Sequence, residues 1–234
     1  MLKGREFPTE LNETLLILIP KIPNPQSITQ LRPIGLCNVA YKTIAKNRLK
    51  LVMETLVAPT QCIFIPGMQI TDNIIIVQEM LHTMRWKSGE TGYMAIKIDL
   101  EKAYDRLRWP FIRETLLEEN LPQIMVDTIM NCLSLVNFTV MWNGAKTQAF
   151  TPSRGVRQGD PLSPYLFVLC IERLNYLIEN MVTNGAWKPV YASRGGPPLS
   201  NLFFVDDLIL FGEATMEQAK VIKHCLELFC SASG

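Results

Sequence analysis

The apolar positions fall into short runs that switch between alternating and three- or four-residue spacing, with no internal repeat. Residues 14–19 form an apolar stretch stopped by Pro20 and read as a strand. Residues 21–33 carry Pro23, Pro25 and Pro33 and read as loop. Residues 41–56 read as a helix of untidy periodicity. Thr71 is placed to cap a helix over 72–86, where Ile74, Val77, Leu81 and Met84 recur at helical steps. Residues 94–100 alternate as a strand, with Met94, Ile96, Ile98 and Leu100 on one face and Ala95, Lys97 and Asp99 on the other. Pro110 suits the first turn of a helix ending near Asn120. Asn143-Gly144 between two apolar stretches, 138–142 and 145–150, predicts a hairpin. Ser163-Pro164 opens a helix to about Met181, with Phe167, Ile171, Leu174, Ile178 and Met181 as its stripe. Residues 202–205 and 208–211 are apolar runs divided only by Asp206-Asp207. Thr215 with Gln218 makes a capping box for a last helix, whose stripe is Met216, Ala219, Ile222, Leu226 and Phe229. Strands and helices do not alternate as a doubly wound sheet requires. The pattern predicts an α+β fold, with helices packed on one face of a largely antiparallel sheet.

With 234 residues, 48% hydrophobic and 19% charged, the chain has the make-up of a folded core and not of a disordered tail. Its longest uninterrupted apolar run, 165–171, is far short of the roughly 18–20 residues of a membrane span. The first residues hold no apolar signal segment. Six scattered cysteines without a C-x-x-C, and two histidines, argue against a disulfide framework or a structural zinc. An intracellular protein with reduced thiols, not bound to a membrane, is expected. Net charge is only +1, but its distribution is uneven. Residues 14–53 hold six basic side chains (Lys21, Arg32, Lys42, Lys46, Arg48, Lys50) and no acid, and residues 128–159 hold three (Lys146, Arg154, Arg157) and no acid. Such stretches are either ordinary solvated faces or the lining of a phosphate-facing groove.

Asp206-Asp207 reads as a solvated hairpin tip, yet adjacent carboxylates repel where asparagine or glycine would turn the chain at less cost. Asp99, at the end of an apolar strand, reads as a helix N-cap. Taken together, a carboxylate at a strand end and a pair at a hairpin tip also suit two hard divalent cations, which take oxygen ligands and clamp the attacking and leaving oxygens of a phosphoryl transfer. A third unusual segment runs from Gly155 to Pro164, Gly-Val-Arg-Gln-Gly-Asp-Pro-Leu-Ser-Pro. Its two glycines allow close approach of backbone to a ligand, and Arg157 and Gln158 offer donors.

The order Asp99-Leu-Glu-Lys-Ala-Tyr104-Asp105, then Gly155 to Pro164, then Phe204-Val-Asp-Asp207 resembles the reverse transcriptase of LINE-type (non-LTR) retrotransposons, most of all those abundant in plant genomes. Leu31-Arg-Pro-Ile-Gly-Leu-Cys-Asn-Val39 and the stretch from Gln61 through Phe64, Pro66-Gly67 and Ile70 to Asp72-Asn73 also match. The resemblance runs from about Leu15 to Gly234. It implies a right-hand polymerase of fingers and palm, with residues 1–92 fingers-like, residues 93–234 palm with some finger elements, and no thumb. It implies two Mg2+ ions held by Asp99 and Asp206, with Asp207 completing the catalytic triad. Gln158 and Gly159 would shape the nucleotide pocket, Arg32 and Lys21 would contact the triphosphate, and Tyr104 would exclude a ribose 2′-hydroxyl, unless it is simply a core aromatic. RNA template, DNA primer and deoxynucleoside triphosphates are the implied partners, and the nucleus the implied place of action. A viral RNA-directed RNA polymerase is disfavoured, since that family usually has aspartate where this chain has Tyr104.

The chain departs from the family pattern in several places. About three residues are lacking between Tyr41 and Lys50, which turns later helical side chains about 60° round the axis. That rotation would carry Lys46, Arg48 and Lys50 away from the family's basic positions. Met68 stands for a usual arginine, Asn201 for a histidine and Val205 for alanine. Phe229-Cys-Ser-Ala-Ser-Gly234 begins the next motif and ends before its lysine, the expected proton donor to pyrophosphate. The alternative reading is a non-catalytic relic with an RNA-binding or structural role at most. Loss of a general acid alone typically removes about 10²–10⁴-fold of rate. The 234-residue chain by itself is therefore expected not to extend a labelled DNA primer on RNA with magnesium. Robust extension abolished by Asp206→Asn would contradict that expectation.

Overall fold

The computed structural model describes residues 13–37, 40–58, 61, 70–86, 91–100, 102–193, 195–204 and 207–234. Phe64, Pro66-Gly67, Met68, Val205 and Asp206 lie outside them. In chain order the elements are β1 (Glu13–Pro20), β2 (Leu31–Cys37), α1 (Ala40–Leu56), α2 (Ile70–Trp86), β3 (Tyr93–Asp99), α3 (Ala103–Arg106), α4 (Trp109–Glu118), α5 (Gln123–Ser134), β4 (Asn137–Trp142), β5 (Ala145–Lys146), α6 (Ser163–Thr183), β6 (Val190–Tyr191), β7 (Pro198–Leu199), β8 (Asn201–Phe204), β9 (Asp207–Glu213) and α7 (Met216–Ser233). The chain forms two compact units, one of Met1–Val52 with Tyr104–Phe167 and the other of Met53–Ala103 with Val168–Gly234. The predicted mixture of helices and mainly antiparallel strands is present. Among the described residues no helix is long and apolar enough to cross a membrane.

The first unit is built on a mixed sheet of order β2-β1-β4-β5. β1 and β2 form an antiparallel hairpin, Thr14 opposite Cys37 through Pro20 opposite Leu31, and β1 runs parallel to β4. Residues 31–33, expected as loop, belong to β2, where Pro33 lies opposite Leu18. The edge position of β2 explains this, because an edge strand tolerates the missing N–H. The Asn143-Gly144 turn forms with both residues at positive φ, 47° and 80°, as a type I′ turn requires. β5 ends after Lys146, and the strand expected to reach Phe150 is replaced by a single bridge between Phe138 and Phe150. Pro110 stands in the first turn of α4 as expected. α5, which the opening pattern did not single out, buries Val126, Ile129, Cys132 and Leu133.

The second unit centres on an antiparallel sheet of order β3-β9-β8. Residues 94–98 alternate as predicted, and Ile96 and Ile98 share an apolar groove with Ala219, Ile222 and Leu226 of α7. Helices also meet the opposite face. There Met80 of α2 clusters with Leu202, Phe211 and Val190, and Val77, Met84, Phe204 and Ile209 pack round them. α2 starts at Ile70, so Thr71 lies in its first turn and does not cap it. Thr215 does cap α7, its Oγ1 accepting from the Gln218 N–H at 3.1 Å. The reciprocal half of the box is absent because the Gln218 side chain is committed elsewhere. It accepts from the Lys188 N–H at 2.8 Å and donates to the Ala186 carbonyl at 2.9 Å. Those bonds turn the helix so that Gln218, Ile222, Cys225 and Phe229 are buried, while Met216, expected in the core stripe, is 74% exposed.

Thr215→Ala should lower the unfolding free energy by about 1 kcal/mol, read as a lower urea midpoint. An unchanged midpoint would mean that the Gln218 bonds hold the start of α7 without the cap.

Candidate active site

In the second unit β9 is the central strand, and its first residue, Asp207, lies opposite Asp99 of β3 on one side and Phe204 of β8 on the other. Directly opposed residues of an antiparallel pair share a face and have Cα atoms about 4.5–5.5 Å apart. Asp99 and Asp207 thus project from the same end and the same face of the sheet, with Asp99 exposed and Asp207 partly so. Asp206 lies outside the described residues, in the two-residue connection from Phe204 to Asp207. Like charges set opposite each other repel. A cation answers them: the Lys97 Nζ lies 2.9 Å from Asp207 Oδ2, with side-chain exposures of 64% and 38%. Among the described residues no cluster of three metal-binding side chains forms. The carboxylate oxygens of exposed Asp99 and partly exposed Asp207 are nonetheless the donor type a hard divalent cation takes.

The strand carrying the turn is pinned from three sides. Asn73 of α2 donates from Nδ2 to the Phe203 carbonyl at 3.3 Å, and Gln61 forms a parallel bridge with Phe203. Asn201 is buried and donates to Asn175 Oδ1 at 2.7 Å, and Asn175 in turn donates to Glu172 at 2.8 Å. Gln61 and Asn73, recognised only as matching positions in a motif, thus hold the backbone one residue before Phe204. The Asn201 substitution is accommodated by an amide partner on α6.

In the first unit the segment 155–164 is fastened along its length. Gly155 N–H donates to the Leu107 carbonyl at 2.7 Å, and Val156 N–H to the Tyr104 carbonyl at 2.8 Å. The Trp109 indole donates to the Gly155 carbonyl at 2.9 Å. The Gln158 carbonyl accepts from Gly35 of β2 at 2.9 Å. Arg157, expected to offer donors to a ligand, is buried instead. Its guanidinium donates to Thr14 Oγ1 at 3.0 Å and to the Cys132 carbonyl, and pairs with Asp160 at 3.2 Å. One side chain therefore ties β1, the last turn of α5 and the segment together. The glycines also serve the protein's own packing. Gly155 (φ 85°) and Gly159 (φ 90°) have no room for a side chain, since a Cβ would stand 2.8 Å from the Asp105 carbonyl oxygen and 3.0 Å from that of Gly35.

Tyr104, Gln158 and Gly159 line one open depression, with Pro161 and Pro164. The Tyr104 ring stacks on buried Phe167 with centroids 4.6 Å apart and planes at 16°. It is both a core-anchored aromatic and part of the wall. Arg32 is exposed on the hairpin opposite Ile19, two residues before Ile34, whose Cγ2 lies within 3.5 Å of the Cβ position at Gly159. Lys21 is exposed at the hairpin end, with its ammonium 3.2 Å from the Thr29 carbonyl. Lys46 stands over the Tyr165 ring at 5.9 Å, and Arg48 and Lys50 are exposed. Sequence reasoning missed Lys97 as the partner of Asp207 and Phe167 as the support of Tyr104. The two-residue spacing from Lys97 to Asp99 was the available signal for the first.

The family profile described as reverse transcriptase (RNA-dependent DNA polymerase) matches residues 19–234. The chain is 28% identical over 99% of its length to the transposon TX1 uncharacterized 149 kDa protein of Xenopus laevis, of which it covers 17%. It is 29% identical over 90% of its length to the retrovirus-related Pol polyprotein of the type-2 retrotransposable element R2DM of Drosophila melanogaster, of which it covers 19%. The chain thus spans less than a fifth of the length of these two relatives. In fold it is similar to telomerase from Candida tropicalis in complex with a fragment of telomeric RNA, with TM-score 0.65 and 12% identity, covering 95% of this chain and 39% of that one.

Arg157→Met should destabilise the protein by about 3–5 kcal/mol, because it leaves the Asp160 carboxylate buried without its partner. Adding Asp160→Asn should recover part of the loss in urea denaturation. A single variant as stable as wild type would show that Arg157 does not anchor the segment.

Proposed function

The chain belongs to the reverse transcriptase family, and on that premise we propose that it is the nucleotidyl-transfer segment of a non-LTR retrotransposon protein, copying an RNA template into DNA from a primer. The observation that carries the proposal is the opposition of Asp99 and Asp207 at one end of the β3–β9 pair. Asp99 and Asp206 would hold two magnesium ions, and Asp207 adds the third carboxylate of the cluster. Bound there, the ions would supply the positive charge that an in-line attack of a primer 3′-hydroxyl on an α-phosphate requires.

The remaining roles fall to the chain's own side chains. Gln158 and Gly159 shape the pocket for the incoming nucleotide, on a segment whose position is set by Arg157. Arg32 and Lys21 bind the triphosphate. Tyr104, braced by Phe167, fills the space that a 2′-hydroxyl would need and so selects deoxynucleotides. Of the two acid-free stretches, 14–53 and 128–159, Lys21, Arg32, Arg48, Lys50, Lys146 and Arg154 are exposed and belong to the first unit. That concentration of Lys and Arg suits the backbone of an RNA template. The telomerase of like fold, in complex with RNA, supports the same partner. Residues 1–92 act as fingers and 93–234 mainly as palm, and the nucleus is the site of action.

In a chimera that adds a thumb to the chain, Asp99→Asn should abolish primer extension on RNA. Tyr104→Ala should keep extension and raise ribonucleotide use relative to deoxynucleotide by about tenfold or more. Extension undiminished by Asp99→Asn would overturn the proposal, and unchanged sugar discrimination would return Tyr104 to a purely structural role.

A further inference from the structure

Lys97 stands two residues before Asp99 on the same face of β3, and Asp99 lies opposite Asp207. Lys97 is therefore the diagonal neighbour of Asp207, a position from which a long side chain reaches across the strand pair. It does so, with its ammonium 2.9 Å from Asp207 Oδ2. The face at this end of the sheet thus carries two carboxylates in direct opposition and a lysine bridging towards them. An ammonium and a divalent cation seek the same oxygens, and both are drawn by the same concentration of negative charge.

We propose that Lys97 competes with the divalent cation for the Asp207 carboxylate, and so sets the metal affinity of the site. The inference rests on the metal-binding reading of this carboxylate cluster, and takes Asp207, its third member, as a further ligand. Lys97 offsets the repulsion between Asp99 and Asp207, which keeps β3 and β9 paired to their ends. The same ion pair must open, or stretch, before Asp207 can turn to a metal, and the ammonium left nearby repels the incoming charge. Exposed ion pairs of this kind are weak and screened by salt, so the competition lowers affinity without closing the site. Lys97 acts here as a positioning residue, through Asp207, and not as a group that touches the reacting atoms.

The test is Mn2+ binding to the 234-residue chain, read by the paramagnetic resonance of the free ion, with folding checked by circular dichroism. Lys97→Met should tighten Mn2+ binding at least threefold at low salt, with a smaller gain at high salt, whereas Lys97→Arg should stay near wild type. Lys188→Met is the matched control: it removes an exposed lysine paired at 3.1 Å with Glu213, at the other end of β9. Its Mn2+ affinity should be unchanged. Asp99→Asn should weaken binding, which tests the metal reading separately. If Asp99→Asn weakens binding and Lys97→Met leaves it unchanged, the competition is refuted and the metal reading stands. An equal gain from Lys188→Met or Lys97→Arg also overturns the proposal, since it marks a general charge effect or a packing effect. Mn2+ binding that neither Asp99→Asn nor Lys97→Met alters, or no binding by any variant, refutes both.

Discussion

Seven consecutive residue pairs hold β3 against β9, from Tyr93 opposite Glu213 to Asp99 opposite Asp207. Because side chains alternate from face to face, a slip of one residue would send Asp207 to the opposite face and separate the carboxylates. Several features allow only the observed register. Leu208 and Leu210, opposite Ile98 and Ile96, are fully buried on one face. On the other, Phe211 joins Leu202 and Met80 in a core cluster. The buried bond from Asn201 Nδ2 to Asn175 Oδ1 adds a polar condition, since a shifted β8 would break it in the core. The carboxylate site is thus a consequence of core packing, and the strand beside it is held by buried Gln61, Asn73 and Asn201.

The first unit solves a similar problem by different means. The segment 155–164 has little regular structure before α6 begins, so side-chain and isolated backbone bonds replace a ladder. The buried Arg157–Asp160 pair and the close approaches at Gly155 and Gly159 fix its course against β1, β2 and α5. Beside it lies the open depression walled by Tyr104, Gln158 and Gly159. A buried ion pair adds little net stability compared with a well-packed apolar alternative. Its value here is geometric, because the fork of the guanidinium makes three bonds in three directions.

Much of this was legible in the sequence where the signal is local. The alternation of residues 94–100, the Asn143-Gly144 turn and the stripe of α6 each follow from backbone period or turn chemistry, and each formed. Asp99 and the Asp206-Asp207 pair stood out because carboxylates at the ends of apolar strands are costly without a purpose. The misses came from long-range contacts. Pro33 reads as a loop residue until β2 is known to lie at a sheet edge. α5 hides its stripe among Asp127, Thr128 and Asn131, after a proline that starts the helix instead of stopping it. The burial of Gln218 in place of Met216 depends on Ala186 and Lys188, about thirty residues away. Arg157 looked like a ligand donor because nothing local shows that Thr14 and Cys132 close over it. The two units draw on segments far apart in the chain, so no local composition change marks them.

Metal-directed cleavage of the backbone tests the carboxylate site most directly. Fe2+ exchanged into the 234-residue chain, with ascorbate and peroxide, generates radicals that cut only the nearest backbone. The account predicts cuts at the end of β3, around residue 99, and at the connection from β8 to β9, around residues 204–207, both suppressed together by excess Mg2+. Cuts confined to other segments, or cuts at these two places that Mg2+ does not suppress, would contradict it.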